Sequence, residues 1–299
     1  MRWRPVVYVM MAVQAVLVIG FAALAFSGVI SLSGSNDGAQ AAERPAADRF
    51  DERRAFELLR RQVALGPRPA GSPASRSLAE ELRRMLPGGR FQPVPGGLRN
   101  VIGTVPGRDP RRTVVVGAHY DTKDLPGFVG ANDGASGTAV LVELARTLRP
   151  RTIRPTVVFV AFDGEESPAG TADGDFETQG LRGARTAAAS LRRAEAMILL
   201  DFVGDRQLSI PRELNSDARL WSRLRAAASR VGAGRAFPAA TQGPISDDHL
   251  PFLAAGVPSI DLIDFDFPCW HRTCDDLSAV SPRSLDLTGE TVRELLASL

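Results

Sequence analysis

From Val6 to Leu32 the chain carries no charged residue, a run long enough for the roughly 20 residues of a membrane-spanning helix. Arg2 and Arg4 flank its N-terminal side and Asp37 is the first charge beyond it, so the positive-inside rule predicts a cytoplasmic N-terminus and an extracytoplasmic body. A cleaved signal segment is the alternative, with Ala39-Gln40-Ala41 as an A-x-A site and a secreted body as its consequence. The apolar run exceeds the roughly 7 to 15 residues of such segments and the site lies far downstream, which favours the anchor. The expected organisation is therefore an anchor or signal segment over 1–32, a flexible linker over 33–49 rich in Ser, Gly, Ala and Pro, and one folded body over 50–299.

Within that body, Val- and Ile-rich runs alternate with helical patterns. Arg99 to Val105, Thr113 to Ala118, Pro155 to Phe162, Ala196 to Val203 and Val257 to Ile263 predict strands. Phe50 to Val63, Ser75 to Leu86, Gly137 to Leu148, Gly183 to Ala194, Ala218 to Val231 and Ser284 to Leu299 predict helices. Short buried strands between helices imply an α/β three-layer sandwich around a mostly parallel central sheet.

Composition changes this picture little. A chain of 299 residues with 44% hydrophobic and 23% charged content is globular rather than disordered. The 36 Lys and Arg stand against 34 Asp and Glu; without Arg2 and Arg4 the two counts are equal. No basic surplus marks a nucleic-acid surface, so nucleic acid is excluded as a partner.

The polar residues are informative because they fall where an open α/β sheet binds ligands, just past the carboxyl ends of its strands. His119-Tyr120-Asp121 follows one strand, Asp163-Gly164-Glu165-Glu166 another and Asp201 a third, while Asn132-Asp133-Gly134 opens a helix. Ser246-Asp247-Asp248-His249 and Trp270-His271 come later, so all three histidines of the chain lie in these stretches. Taken singly, Asp133 is a helix cap, Glu165-Glu166 a solvated pair and His271 a loop histidine. Taken together, crowded carboxylates with imidazoles need a cation or shared protons, and His with Asp or Glu suits zinc. Asp121 is placed to orient His119, although the orienting partner could equally be elsewhere. No G-x-S-x-G elbow supports a serine hydrolase.

Six motifs in order carry a resemblance over roughly Phe50 to the C-terminus. They are Gly117-Ala118-His119-Tyr120-Asp121, Gly130-Ala131-Asn132-Asp133-Gly134-Ala135-Ser136-Gly137, Phe162-Asp163-Gly164-Glu165-Glu166, Leu199-Leu200-Asp201, Asp248-His249-Leu250-Pro251-Phe252-Leu253 and Trp270-His271. The pattern resembles the zinc aminopeptidases of family M28 and their offshoot, the animal-type glutaminyl cyclases, which implies a zinc-exopeptidase-like fold and peptide N-termini as substrates. The peptidase pattern implies two zinc ions bridged by Asp133, with Glu166 and His119 on opposite metals, Asp201 and His271 completing the shells and Glu165 as general base. The cyclase pattern implies one zinc on Asp133, Glu166 and His271, with Glu165 shuttling a proton and Asp201 and Asp247 sharing protons in an acidic network.

For the cyclase branch stand the run from His119 to Lys123, the doubled Asp247-Asp248, Phe267-Pro268 leading into Trp270-His271, and Asp275-Asp276. Against it stand the peptidase-like Gly130 to Gly137 and the lack of an aromatic between Ser167 and Asp175, for which Phe176 or Trp270 could substitute. The cyclase is the favoured reading, with Phe267 and Trp270 as substrate-binding residues, and an inactive metal-binding relative is the third. Cys269 and Cys274 bracket the His271 loop; the resemblance uses neither as a ligand, and outside the cytoplasm a short disulfide is expected.

Overall fold

The computed structural model describes residues 45–299; the expected anchor and most of the linker lie outside the described residues. Among the described residues no helix is long and apolar enough to cross a membrane.

Helices α1 (Glu52–Ala64) and α2 (Pro73–Met85) precede strands β1 (Arg90–Val94), β2 (Leu98–Val105) and β3 (Asp109–His119). Then follow α3 (Ala135–Thr147), β4 (Pro155–Phe162), the short α4 (Phe176–Gln179), α5 (Arg182–Leu191), β5 (Ala196–Leu200), α6 (Ala218–Arg230), the short α7 (His249–Ala254), β6 (Ser259–Leu262) and α8 (Pro282–Ser298). The side-chain ends of Asp51, Ser72 and Asp217 cap α1, α2 and α6, each accepting a hydrogen bond from a backbone N–H of the first turn.

The six strands lie in the order β1-β2-β4-β3-β5-β6. The sheet is mostly parallel with one strand reversed: β4-β3, β3-β5 and β5-β6 run parallel, whereas β2 is antiparallel to both β1 and β4. The departure lies at one edge, where β1 had no sequence signal because most of its side chains are at least partly exposed and Pro93 interrupts it. Elsewhere period-two alternation sorts the core. Val114, Val116, Phe159 and Ile198 face the side covered by α1, α2, α3, α6 and α8, while Val115, Val158, Val160 and Met197 face α5 and α7.

Strand β3 leads through α3 to β4 on one side and lies beside β5 on the other, so the chain reverses its direction of travel across the sheet there. The carboxyl ends of the four parallel strands converge at that switch point, which is where open α/β sheets open a crevice for ligands. Helix α3 enters it end-on. A Cβ at Gly137 would lie 2.0 Å from the Leu200 carbonyl oxygen, so only glycine lets α3 press onto β5. Gly134, at φ +87°, makes the turn that delivers Asp133.

Candidate metal and catalytic centre

A cavity of about 750 Å3 opens at the switch point. Asp133, Glu165, Glu166, Asp201, Asp247 and His271 line its floor, and Phe176, Phe202, Ile245, Ile263, Phe265 and Trp270 its sides. The residues expected to form one site from five separate stretches of sequence are thus brought together.

Two triads present their donor atoms within 4.8 Å of one another: Asp133, Glu166 and His271, and His119, Asp133 and Asp201. Asp133 belongs to both and divides its oxygens between them. Its Oδ1 lies 3.4 Å from His119 Nε2 and its Oδ2 3.6 Å from His271 Nε2. His271 Nε2 is also 3.3 Å from Glu166 Oε1, and His119 Nε2 is 3.3 Å from Asp201 Oδ1. Asp133 Oδ2 is buried without a hydrogen-bond partner. An acceptor left so is costly unless a cation completes it. With imidazole and carboxylate donors around it, the site fits zinc. The two triads differ in access, because His119 is 1% exposed and lies outside the cavity lining, whereas all of Asp133, Glu166 and His271 line it.

The acidities of the adjacent glutamates are pushed in opposite directions. Burial and then the Glu166 charge push the Glu165 carboxyl well above the usual range. Burial also opposes ionisation of Glu166, but the His271 hydrogen bond and the Lys123 ammonium outweigh it and hold Glu166 low. Lys123 Nζ sits 3.0 Å from Glu166 Oε2, leaving Oε1 toward His271. Neighbouring carboxylates with divergent environments are a mark of acid and base assignments.

Behind Glu165 lies an acidic cluster. Asp247 is raised by burial, by Asp201 and by Asp248, and Asp261 by burial, by Asp247 and by Asp201. Close carboxylates at this density share protons. His249 is fully buried outside the cavity, 3.3 Å from Glu213 Oε2, and helps to hold Glu213 down to about 2 against its burial. It belongs to the support of the site rather than to either triad.

Two sequence expectations need correction. The Asp121 carboxylate does not orient His119: its nearer oxygen is 3.8 Å from His119 Nδ1, which instead faces the Asp121 carbonyl oxygen at 3.1 Å. The carboxylate accepts hydrogen bonds from the backbone N–H groups of Gly164, Glu165 and Glu166. Phe267 is 5% exposed and packs behind Phe202, outside the site cavity, whose aromatic wall is Phe265 and Trp270. The wall missing between Ser167 and Asp175 is supplied by Phe176.

In the sequence Asp275 stood only as a mark of the cyclase branch, and Arg68 was not singled out. Asp275 accepts from the N–H groups of Asn132 and Asp133. Fully buried Arg68 donates to the carbonyls of Gln62, Gly66, Val129 and Gly130. The loop that delivers Asp133 is thereby gripped through its carbonyls by a cation and through its amides by an anion. Cys269 and Cys274 form a disulfide with Cα atoms 5.4 Å apart, closing the loop that carries His271.

The model for peptidase family M28 matches residues 100–296, the stretch that carries both triads. The glutaminyl-peptide cyclotransferase of Bothrops jararaca is 29% identical, over 72% of this chain and 73% of the relative. Among solved structures, the glutaminyl cyclase of Porphyromonas gingivalis superimposes with a TM-score of 0.74 at 29% identity, covering 85% of this chain and all of that one. A leucine aminopeptidase precursor from Bacteroides thetaiotaomicron superimposes as well, with a TM-score of 0.75 at 25% identity and 86% of this chain covered. With this match spanning most of the body and both triads in place, the chain belongs to peptidase family M28, whose relatives here are zinc-dependent enzymes.

Proposed function

We propose that the protein is a zinc-dependent glutaminyl-peptide cyclotransferase, which closes an N-terminal glutamine to pyroglutamate and releases ammonia. The observation that carries this reading is the unequal access of the two triads. Asp133, Glu166 and His271 face the cavity, while His119 is sealed from it and held by Asp201 and the Asp121 carbonyl. Burial opposes a charge on His119, but the nearby Asp121 and Asp201 carboxylates outweigh it and raise its pKa above the usual value.

Asp133, Glu166 and His271 would hold the zinc, which when bound polarises the side-chain amide of the substrate glutamine. Glu165 lines the cavity beside them with no role as ligand. It accepts the proton of the substrate's α-amine as that nitrogen attacks the amide carbon, and returns it to the departing nitrogen, so ammonia leaves and the ring closes. Asp247 and Asp201 line the same cavity, and after burial and the Glu166 charge the Asp247 charge adds to the rise of the Glu165 carboxyl, which suits it to hold the proton between transfers.

The second reading, a dinuclear zinc aminopeptidase, is favoured by the division of the Asp133 oxygens between the triads. Here Asp133 would bridge two zinc ions, with Asp201 and His119 on the second. One incubation separates the readings: the zinc-loaded protein with a glutamine-initiated peptide, read by mass spectrometry. Loss of ammonia at unchanged length supports the cyclase; loss of the first residue replaces it with the aminopeptidase; no product with zinc retained points to the inactive relative.

The location of this body, residues 50–299, outside the cytoplasm on an N-terminal anchor is part of the same proposal. It rests on the uncharged run from Val6 to Leu32, and the Cys269–Cys274 disulfide suits an oxidising compartment. Protease protection of the body in intact cells would count against it.

A further inference from the structure

We infer that Arg182 is a positioning residue for both glutamates of the site: its guanidinium holds the carbonyls of Gly164 and Glu166, with Glu165 between them, and so fixes where Glu165 and Glu166 point. The inference rests on the reading of Glu166 as a zinc ligand and Glu165 as the proton carrier, and holds for cyclisation and hydrolysis alike.

Arg182 opens α5 against the usual preference. A cation is disfavoured in the first turn of a helix, whose N-terminal end is itself positive, and α5 has no side-chain cap to compensate. Its start is instead joined to the turn that follows β4. The Leu181 amide donates to the Glu165 carbonyl oxygen at 2.8 Å, and the Arg182 amide to that of Gly164 at 2.9 Å. These are amides that a helix end otherwise leaves unsatisfied. The guanidinium continues the same row, with Nε 3.3 Å from the Gly164 carbonyl oxygen and Nη2 2.8 Å from that of Glu166. A Cβ at Gly164 would lie 2.9 Å from Arg182 Nε and 3.0 Å from its Cζ, so the guanidinium lies flat against a peptide that only glycine leaves open.

The Asp121 carboxylate takes the amides of Gly164, Glu165 and Glu166. With Arg182 on the carbonyls, the turn is held by an anion on one side and a cation on the other, as Asp275 and Arg68 hold the loop of Asp133. Both ligand-bearing turns of the site are therefore built alike. Removing the Arg182 side chain frees the Glu166 carbonyl while Asp121 still grips the amides, so the change is a local rotation of the peptide groups that aim Glu165 and Glu166. A displacement of about 1 Å in a reacting group costs on the order of 100-fold in rate. Lysine keeps the charge but lacks the planar fork that spans two carbonyls, so it replaces arginine only in part.

The test compares the full-length wild type with Arg182→Ala and Arg182→Lys by three readings. In the zinc-free proteins, amide hydrogen exchange over residues 163–167 should rise about tenfold in Arg182→Ala while α3 and β5 stay at the wild-type level. Zinc affinity, from chelator competition, should fall about tenfold. At saturating zinc, kcat on Gln-Ala-Ala-Ala or Leu-Ala-Ala-Ala should fall about 10- to 100-fold with KM within about twofold. Arg182→Lys should recover part of each loss, and guanidinium chloride well below denaturing concentrations should recover part of it in Arg182→Ala alone. Exchange and zinc affinity unchanged in Arg182→Ala overturn the inference. So does exchange that rises evenly through the body with no recovery by lysine or guanidinium, which is the mark of a residue that serves stability only. If the wild type forms no product from either peptide, the functional reading fails, and local exchange over 163–167 with its recovery by guanidinium still decides for or against Arg182.

Discussion

Asp121 spends its carboxylate on the backbone beneath Glu166. Its Oδ1 lies 3.0 and 3.3 Å from the amide nitrogens of Gly164 and Glu165, and its Oδ2 3.2 Å from that of Glu166. Three amides at the end of β4 thus converge on one buried anion, and the two glutamates are aimed by the residue that follows β3. Because β3 and β4 are parallel neighbours in register up to His119 and Phe162, the geometry is fixed by the sheet.

Replacing Asp121 with Asn puts an NH2 group where one of these amides needs an acceptor. An unpaired buried donor costs about 1–3 kcal/mol, and the loop that presents Glu166 loosens. Asp121→Asn should lower Tm and weaken zinc binding by about 10- to 100-fold, measured by melting and by chelator competition. Unchanged zinc affinity would mean that Glu166 is aimed by something other than Asp121.

Glu165 and Glu166 should respond differently to the same change. Glu165→Gln keeps the size of the side chain and leaves both triads intact, so zinc stoichiometry should hold while turnover falls about 10^2- to 10^4-fold. Glu166→Gln removes a ligand and should lose zinc itself. Metal analysis of the two variants beside their rates checks the division of labour.

What could be read from the sequence follows from how each part is built. His119, Glu165, Glu166 and Asp201 were legible because parallel strands are apolar to their ends, so a charged residue just beyond one stands out. Asp133 was legible only in company, since alone it is an ordinary helix start. The anchors were not. Asp121 and Asp275 act through carboxylate-to-amide bonds, and Arg68 grips carbonyls more than sixty residues away in Val129 and Gly130; such bonds leave no spacing pattern. Phe265 and Phe267 are separated only by Asp266, and past the end of β6 at Leu262 no strand period says which one faces the cavity.

His271 sits at φ +51°, a left-handed backbone that a residue with a Cβ adopts at a cost of about 1–2 kcal/mol. The Cys269–Cys274 disulfide closes the loop around it, and Phe128 and Trp270 contact its ring from two sides. Opening the disulfide lets the loop relax toward ordinary backbone angles and withdraws one ligand of the Asp133, Glu166 and His271 triad. Reduction, or Cys269→Ser with Cys274→Ser, should therefore weaken zinc binding by about tenfold with a small change in Tm. Equal chelator competition before and after reduction would show that the ring contacts alone hold His271.

The pH dependence of stability should run opposite to that of a protein held by ionised salt bridges. Burial lifts Asp264 to about 7, and lifts Asp163 and Asp275 to about 6. A carboxyl raised in the folded state stabilises it while protonated, and this contribution is fully present below the unfolded value near 4. As pH climbs from there through about 7 the unfolded chain releases its protons first, so stability falls. Asp264 is the cleanest probe, being 2% exposed and a member of neither triad, with Oδ2 accepting from the Ser209 amide. An Asn oxygen can accept that same bond without ever ionising. Asp264→Asn should match the wild type near pH 4.5 and exceed it at pH 8 by on the order of 2–4 kcal/mol, since each shifted unit is worth about 1.4 kcal/mol. Melting curves of the zinc-free proteins across this range decide it: parallel curves at both ends would mean that Asp264 ionises in the folded protein as it does in water.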